Sequence, residues 1–131
     1  QDPPSSPTRL PTLPSQASTP KAIVSGGVVY CSGTVATDPA TGKIVDGDIF
    51  KAHTVPRSFL LPNLGHVLEA AGSDLTKALK VNVFLSDMDN CADMNSVYIQ
   101  YWGGVKPCRT CVAVKTLPMN TDVEIECIAH Q

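Results

Sequence analysis

Apolar residues along this chain change their spacing in a fixed order, and that order leaves few folds open. Ala22-Ile23-Val24 and Val28 to Val35 are β-rich, with Ser25-Gly26-Gly27 between them as a tight hairpin turn. Asp38-Pro39-Ala40-Thr41-Gly42 is turn chemistry again, and Lys43 to Val45 reads as a short third strand. Helical spacing then takes over. Leu60, Leu61, Leu64, Val67, Leu68 and Ala71 fall on one face, and Gly72 suits the position just past a helix end. Pro56 and Pro62 lie where this helix would run, so the pattern predicts a start near Leu61 or a kink. Ala78 to Leu85 reads as a buried strand. A second helix, capped by Asp87 or Asp89 and running to about Trp102, carries an apolar stripe of Met94, Val97, Tyr98, Tyr101 and Trp102 before Gly103-Gly104 ends it. The last strands, Arg109 to Leu117 and Asp122 to Ala129, flank a turn over Pro118 to Thr121. Strands, helix, strand, helix and two strands predict an α+β two-layer sandwich with both helices on one face of the sheet.

The first twenty residues are a different material. Six of the eleven prolines fall between Gln1 and Pro20, with Ser, Thr and Gln among them. Proline fixes φ and removes a donor, so residues 1–20 are expected to form an extended or disordered arm with no ladder or helix. The folded domain is expected over residues 21–131. A chain of 131 residues is enough for one domain with a core and too short for two.

Composition excludes several functions. Hydrophobic residues make up 43% and charged residues 17%, which suits a globular chain. The net charge is −2 with no basic cluster, so neither nucleic acid nor an anionic membrane is an expected partner. No apolar run approaches the roughly 20 residues that span a bilayer, and no secretory signal is expected. Cys31, Cys91, Cys108, Cys111 and Cys127 are scattered through apolar segments, and five is an odd count. Reduced thiols in a cytoplasmic or mitochondrial protein fit better than a disulfide framework. Cys108 and Cys111 have metal-ligand spelling, but positions three apart on a strand point to opposite faces, and no second CxxC or HxxxH is present. No metal site is expected.

Arg109 is a permanent cation at the mouth of an otherwise mostly apolar strand. Its fork of donors matches a carboxylate in bidentate fashion, so a small carboxylate-bearing ligand is one reading. A strand-end arginine in water is the other. If the last two strands pair as a hairpin, Glu124 lies opposite Lys115 and Arg109 lies near His130. At about 3.3 Å per residue, Arg109 and Glu124 are then some 20 Å apart. They can serve one small ligand only if Arg109 of one chain approaches Glu124 of another; otherwise Glu124 is a solvated residue paired with Lys115.

From about Ala22 to Ala129 the chain resembles the Rid/YjgF family of reactive-intermediate (enamine/imine) deaminases. The matching segments include Val29-Tyr30-Cys31-Ser32-Gly33, Leu68-Glu69-Ala70-Ala71-Gly72, Lys80 to Met88, Asn95-Ser96-Val97-Tyr98, Lys106 to Val112 and Val123 to Ala129. The resemblance implies a chorismate-mutase-like α+β fold and a homotrimer with clefts between subunits. It implies cofactor-free hydrolysis of enamines and imines such as 2-aminoacrylate to 2-keto acids and ammonia. Arg109 matches the family arginine that clamps the substrate carboxylate, and Glu124 the glutamate that positions the attacking water. Cys111, Ser32 and Asn95 match positions that line the cleft. Two departures bear on substrate choice. Ser18-Thr19-Pro20-Lys21 stands where the family has a tyrosine-bearing segment, and Thr34-Val35-Ala36 follows Ser32-Gly33 where the family has Gln-Ile-Pro. Val55 to Pro62 looks like a small insertion. These departures leave room for a larger imine, or for a binding or chaperone-like protein on the same fold.

Overall fold

The computed structural model describes residues 7–9, 20–45 and 59–131. The first half of the Val55 to Pro62 insertion therefore lies outside the described residues, as does most of the proline-rich arm. Among the described residues seven strands form one sheet: β1 (Thr8–Arg9), β2 (Ala22–Ser25), β3 (Val28–Cys31), β4 (Thr34–Val35), β5 (Ala78–Leu85), β6 (Cys108–Ala113) and β7 (Val123–His130). The strand order is β1-β2-β3-β7-β5-β6, and β4 also pairs with β7. Two helices, α1 (Leu60–Ala70) and α2 (Cys91–Tyr98), complete the two-layer α+β sandwich expected from the sequence. No helix among the described residues is long and apolar enough to cross a membrane.

The core follows from periodicity. Leu60, Leu61, Leu64 and Leu68 share one face of α1 and are fully buried. They join one cluster with Val81, Val83 and Leu85 of β5 and Val123, Ile125 and Cys127 of β7. Each buried leucine contributes about 1.5–3 kcal/mol. Alternate residues of the same strands, Asn82 and Phe84 on β5 and Glu124 and Glu126 on β7, turn to the opposite, helix-free face. A bulge between Ala78 and Lys80 lets Ala78 stay in the core although it stands three residues from Val81, and leaves Leu79 exposed.

The start of α1 agrees with the sequence reading, and several other boundaries differ from it. Helix α1 starts at Leu60, and Pro62 sits in its first turn, where a backbone N–H has no partner within the helix anyway. The long second strand is broken at Ser32-Gly33 into β3 and β4. Lys43 to Val45 contributes only an isolated bridge, Thr37 with Ile44. Asp87 caps a 3-10 turn over Met88–Asn90 by accepting from the Asp89 N–H at 2.9 Å, and α2 follows it. Helix α2 ends at Tyr98 instead of near Trp102, because the chain tightens into three-residue turns, Gln100 N–H to Val97 O and Tyr101 N–H to Tyr98 O. Thr8 and Arg9 of the arm pair with Val24 and Ile23, so the arm does contribute a short ladder at its fringe.

The largest correction concerns β6 and β7. They do not form a hairpin. β5 lies between them, parallel to β6 and antiparallel to β7. Glu124 is opposite Phe84 on one side and Val35 on the other, not Lys115, and Arg109 is in register with Val81, not near His130. The stretch before Val123 is a 3-10 turn over Pro118–Asn120 with Met119 and Asn120 in left-handed conformation, and it carries the chain past β5.

Leu64→Ala leaves a cavity under α1 and is expected to cost about 2–5 kcal/mol, read as a lower urea midpoint with an unchanged slope.

Candidate functional site

Helix α2 and strand β6 build the first half of the site. Asn95 and Tyr98 are one turn apart, so they share a face of α2. Arg109 enters from β6 and donates from Nη1 to Asn95 Oδ1 at 2.7 Å. Its guanidinium carbon lies 4.7 Å from the centre of the Tyr98 ring. A cation over an aromatic face contributes roughly 0.5–2 kcal/mol, more as water is removed. Tyr98 in turn rests on Trp102, with ring centres 4.9 Å apart. Arg109 is therefore not a strand-end arginine in water; it is held from below and from one side. The Asn95 bond uses one of five N–H donors, and a carboxylate needs two.

Tyr98 is buried, and burial pushes its phenol up to about 12, outweighing the opposing pull of Arg109. The ring therefore stays neutral beneath the cation. Tyr98 Oη and Trp102 Nε1 are buried with no hydrogen-bond partner among the described residues.

Cys111 follows two residues after Arg109 on the same face of β6. Its sulfur is 4.0 Å from that of Cys91, the first residue of α2. Burial, followed by the neighbouring Cys91 sulfur, pushes the Cys111 thiol up, which disfavours a nucleophilic thiolate. Cys108 instead donates to the Leu79 carbonyl at 3.2 Å. Among the described residues no cluster of three or more histidine, cysteine or acidic side chains is placed to hold a metal ion.

The second half lies on the other face. Glu124 alternates with buried Val123 and Ile125, so its side chain points away from the helices. Its carboxylate packs against Gly33: a Cβ placed there would stand 2.0 Å from Oε1 and 2.7 Å from Cδ. Gly33 has no left-handed backbone, so close approach is what requires glycine here. Burial raises the Glu124 pKa, and the like charge of Glu126 raises it further. Glu126 accepts from Asn82 Nδ2 at 3.0 Å. Ser32, next to Gly33, donates its hydroxyl to the Pro20 carbonyl at 2.8 Å and so fixes the path of the chain into β2.

The fold thus gathers Arg109, Asn95 and Cys111 into one group, and Ser32 and Glu124 into another. Arg109 registers with Val81, and Val81 with Cys127, three residues from Glu124. Two strand spacings across and three residues along put the two backbones about 14 Å apart, less than the hairpin register implies. The side chains nevertheless leave opposite faces of the sheet, which separates them more firmly than distance does. Sequence reasoning did not single out Tyr98 or Gly33 as site residues. Tyr98 belongs to the apolar stripe of α2, and only its spacing from Asn95 could have flagged it.

The sequence profile of the family described as Endoribonuclease L-PSP matches residues 13–131. The mitochondrial protein mmf1 of Schizosaccharomyces pombe is 45% identical over 126 residues, 94% of this chain and 74% of its own. The 2-iminobutanoate/2-iminopropanoate deaminase of Mus musculus is 38% identical over 103 residues, covering 79% of this chain and 73% of that protein. The crystal structure of yeast Mmf1 superposes with a TM-score of 0.82 at 38% identity, covering 96% of this chain and 99% of that one.

Gly33→Ala is expected to leave the fold intact and push the Glu124 carboxylate outward. Its pKa then falls toward the ordinary carboxylate value, which a carbon-13 NMR titration of the Glu124 carboxyl would register; an unchanged titration means that Gly33 does not shape this environment.

Proposed function

Because the chain belongs to the Endoribonuclease L-PSP (Rid/YjgF) family, we propose that it is a cofactor-free deaminase of small carboxylate-bearing imines and enamines, 2-aminoacrylate among them. The observation that carries this reading is the mounting of Arg109, fixed by Asn95 and stacked on Tyr98 with donors left for a carboxylate. Arg109 binds the substrate carboxylate. The imine carbon is already electrophilic, so orienting a water and removing its proton are the main contributions asked of the protein. Glu124, made more basic by burial and by Glu126, takes that proton as the water oxygen bonds to the imine carbon. The nitrogen is protonated, the carbon–nitrogen bond breaks, and ammonia and a 2-keto acid leave. An enamine first takes a proton at carbon to become the imine.

Arg109 and Glu124 leave opposite faces of one chain, so in this reading each cleft joins Arg109 of one protomer to Glu124 of a neighbour in a homotrimer. The helix-free face supports such packing, because it exposes Tyr30 and Val112 beside its polar residues. Cys111, Ser32 and Asn95 complete the cleft, with Asn95 and Ser32 acting through the Arg109 bond and the Ser32-Gly33 turn. The mitochondrial names of two relatives, 45% and 41% identical, support a cytoplasmic or mitochondrial location. Ribonuclease activity is not favoured: the net charge is −2, and Glu124 and Glu126 stand on the open face.

Ammonia and keto-acid release from freshly generated 2-aminoacrylate tests the activity. Arg109→Ala is expected to lower kcat/KM by roughly 10–100-fold, the worth of a charge-assisted carboxylate contact. Equal rates for the two proteins would reject the proposal, and carboxylate binding without turnover would support a binding role on the same fold.

Arg109→Ala and Glu124→Ala, each strongly impaired alone, are expected to regain about a quarter of wild-type activity when randomly co-assembled, because some clefts then receive both intact residues. No recovery in verified mixed oligomers would place the two groups in different sites.

A raised Glu124 pKa puts the acid limb of the activity profile above the ordinary carboxylate range, with activity rising as Glu124 loses its proton. Glu126→Gln removes the like charge and is expected to move that limb to lower pH, read from kcat/KM against pH.

A further inference from the structure

Cys91 opens α2, and Asn95 and Tyr98 follow on the same side of that helix at four and seven residues. Cys111 and Arg109 stand two apart on the face of β6 that meets it. The two sulfurs are already 4.0 Å apart, and both residues are partly open to solvent. Cys31 and Cys127 also interact, but Cys127 is buried in the core where a soluble oxidant does not reach. Cys108 bonds the Leu79 carbonyl on the other side of β6. One thiol pair is therefore both close and accessible, and it joins the same two elements that hold Arg109. In reducing compartments, disulfides of this sort are typically transient and redox-sensing.

We propose that Cys91 and Cys111 form a reversible oxidation site that closes to an intrachain disulfide under peroxide and alters the mounting of Arg109. One thiolate attacks peroxide: a sulfur–oxygen bond forms, the oxygen–oxygen bond breaks, and one water leaves after protonation. The second sulfur then attacks the sulfenic sulfur, the sulfur–sulfur bond forms, and a second water departs with the thiol proton. The sum is two thiols and one hydrogen peroxide to one disulfide and two waters. A dithiol reductant restores both thiols by exchange. Closure brings the sulfurs from 4.0 Å to about 2 Å. The crosslink ties the start of α2 to β6, and the 2.7 Å bond from Arg109 to Asn95 lies one turn away.

The test uses the full chain, titrated with hydrogen peroxide and then mapped by non-reducing peptide mass spectrometry. The expected product is one Cys91–Cys111 crosslink within the chain, lighter by two hydrogens and reversed by dithiothreitol. Nitrogen-15 NMR of the Arg109 guanidinium should shift with the crosslink and return on reduction. Cys91→Ser should abolish both changes and leave the basal activity of the reduced protein as it was. Independent sulfenic or sulfinic adducts at the two positions, with no crosslink, would overturn the proposal. So would a crosslink that leaves the Arg109 resonances unmoved. Neither readout needs a substrate, so loss of the deaminase reading would show in turnover and leave this result standing.

Discussion

The placement of β5 between β6 and β7 decides what the rest of the molecule can do. β5 donates to and accepts from both neighbours, parallel on one side and antiparallel on the other. Val81, Val83 and Leu85 turn its inner face into the core, where they join the four buried leucines of α1. Backbone pairing of this kind fixes register, and a one-residue slip would exchange the two faces of a strand. The register found sends Arg109 toward α2 and Glu124 away from it. No side-chain rotation can bring two groups through an intact sheet. A cleft that held both groups, as proposed, would have to pair one copy's helix side with another copy's open side.

The two groups are prepared by opposite means. Arg109 keeps its charge and is made rigid: Asn95 accepts one donor, and the neutral ring of Tyr98, itself braced by Trp102, lies beneath it. Rigidity matters because a long cationic side chain loses up to about 2 kcal/mol of rotamer entropy when it is fixed, and here the fold meets that cost before any ligand arrives. Glu124 keeps its place through the absence of a side chain at Gly33, and its basicity is raised by burial and by Glu126. A carboxylate in water is a weak base near neutrality, and partial burial moves it toward the range in which proton removal is effective. In the proposed reading, carboxylate recognition and water activation fall to groups with different solvation, each prepared on its own protomer before the shared cleft forms.

Much of this architecture is legible in the sequence. The leucine spacing from Leu60 to Leu68 gives α1, and the alternation along Val123 to Ala129 gives β7, because each has a single buried face. What is not legible is long-range pairing. Nothing in Arg109 to Leu117 or Asp122 to Ala129 reveals that β5 lies between them, and two strands joined by a proline turn resemble a hairpin locally. The break at Ser32-Gly33 is hidden for a similar reason: the residues favour a strand, but β7 changes partner there from β3 to β4. Arg109 and Glu124 are visible as chemistry in the sequence, whereas Tyr98 and Gly33 acquire significance only from what packs against them.

Tyr98 shows how one residue serves the core and the site together. It is 4% exposed and stacks in the tilted geometry favoured by aromatic pairs, which fully justifies it as core. The same ring presents its electron-rich face to the guanidinium. Replacing it with leucine would preserve much of the apolar area and lose the quadrupole; replacing it with phenylalanine would keep both and remove a buried hydroxyl that has no partner among the described residues. A hydroxyl in that position costs desolvation without a compensating bond. Its retention therefore cannot be explained by the cation or by the core, since phenylalanine serves both equally. In the proposed homotrimer, a group on the neighbouring copy is what would meet that hydroxyl.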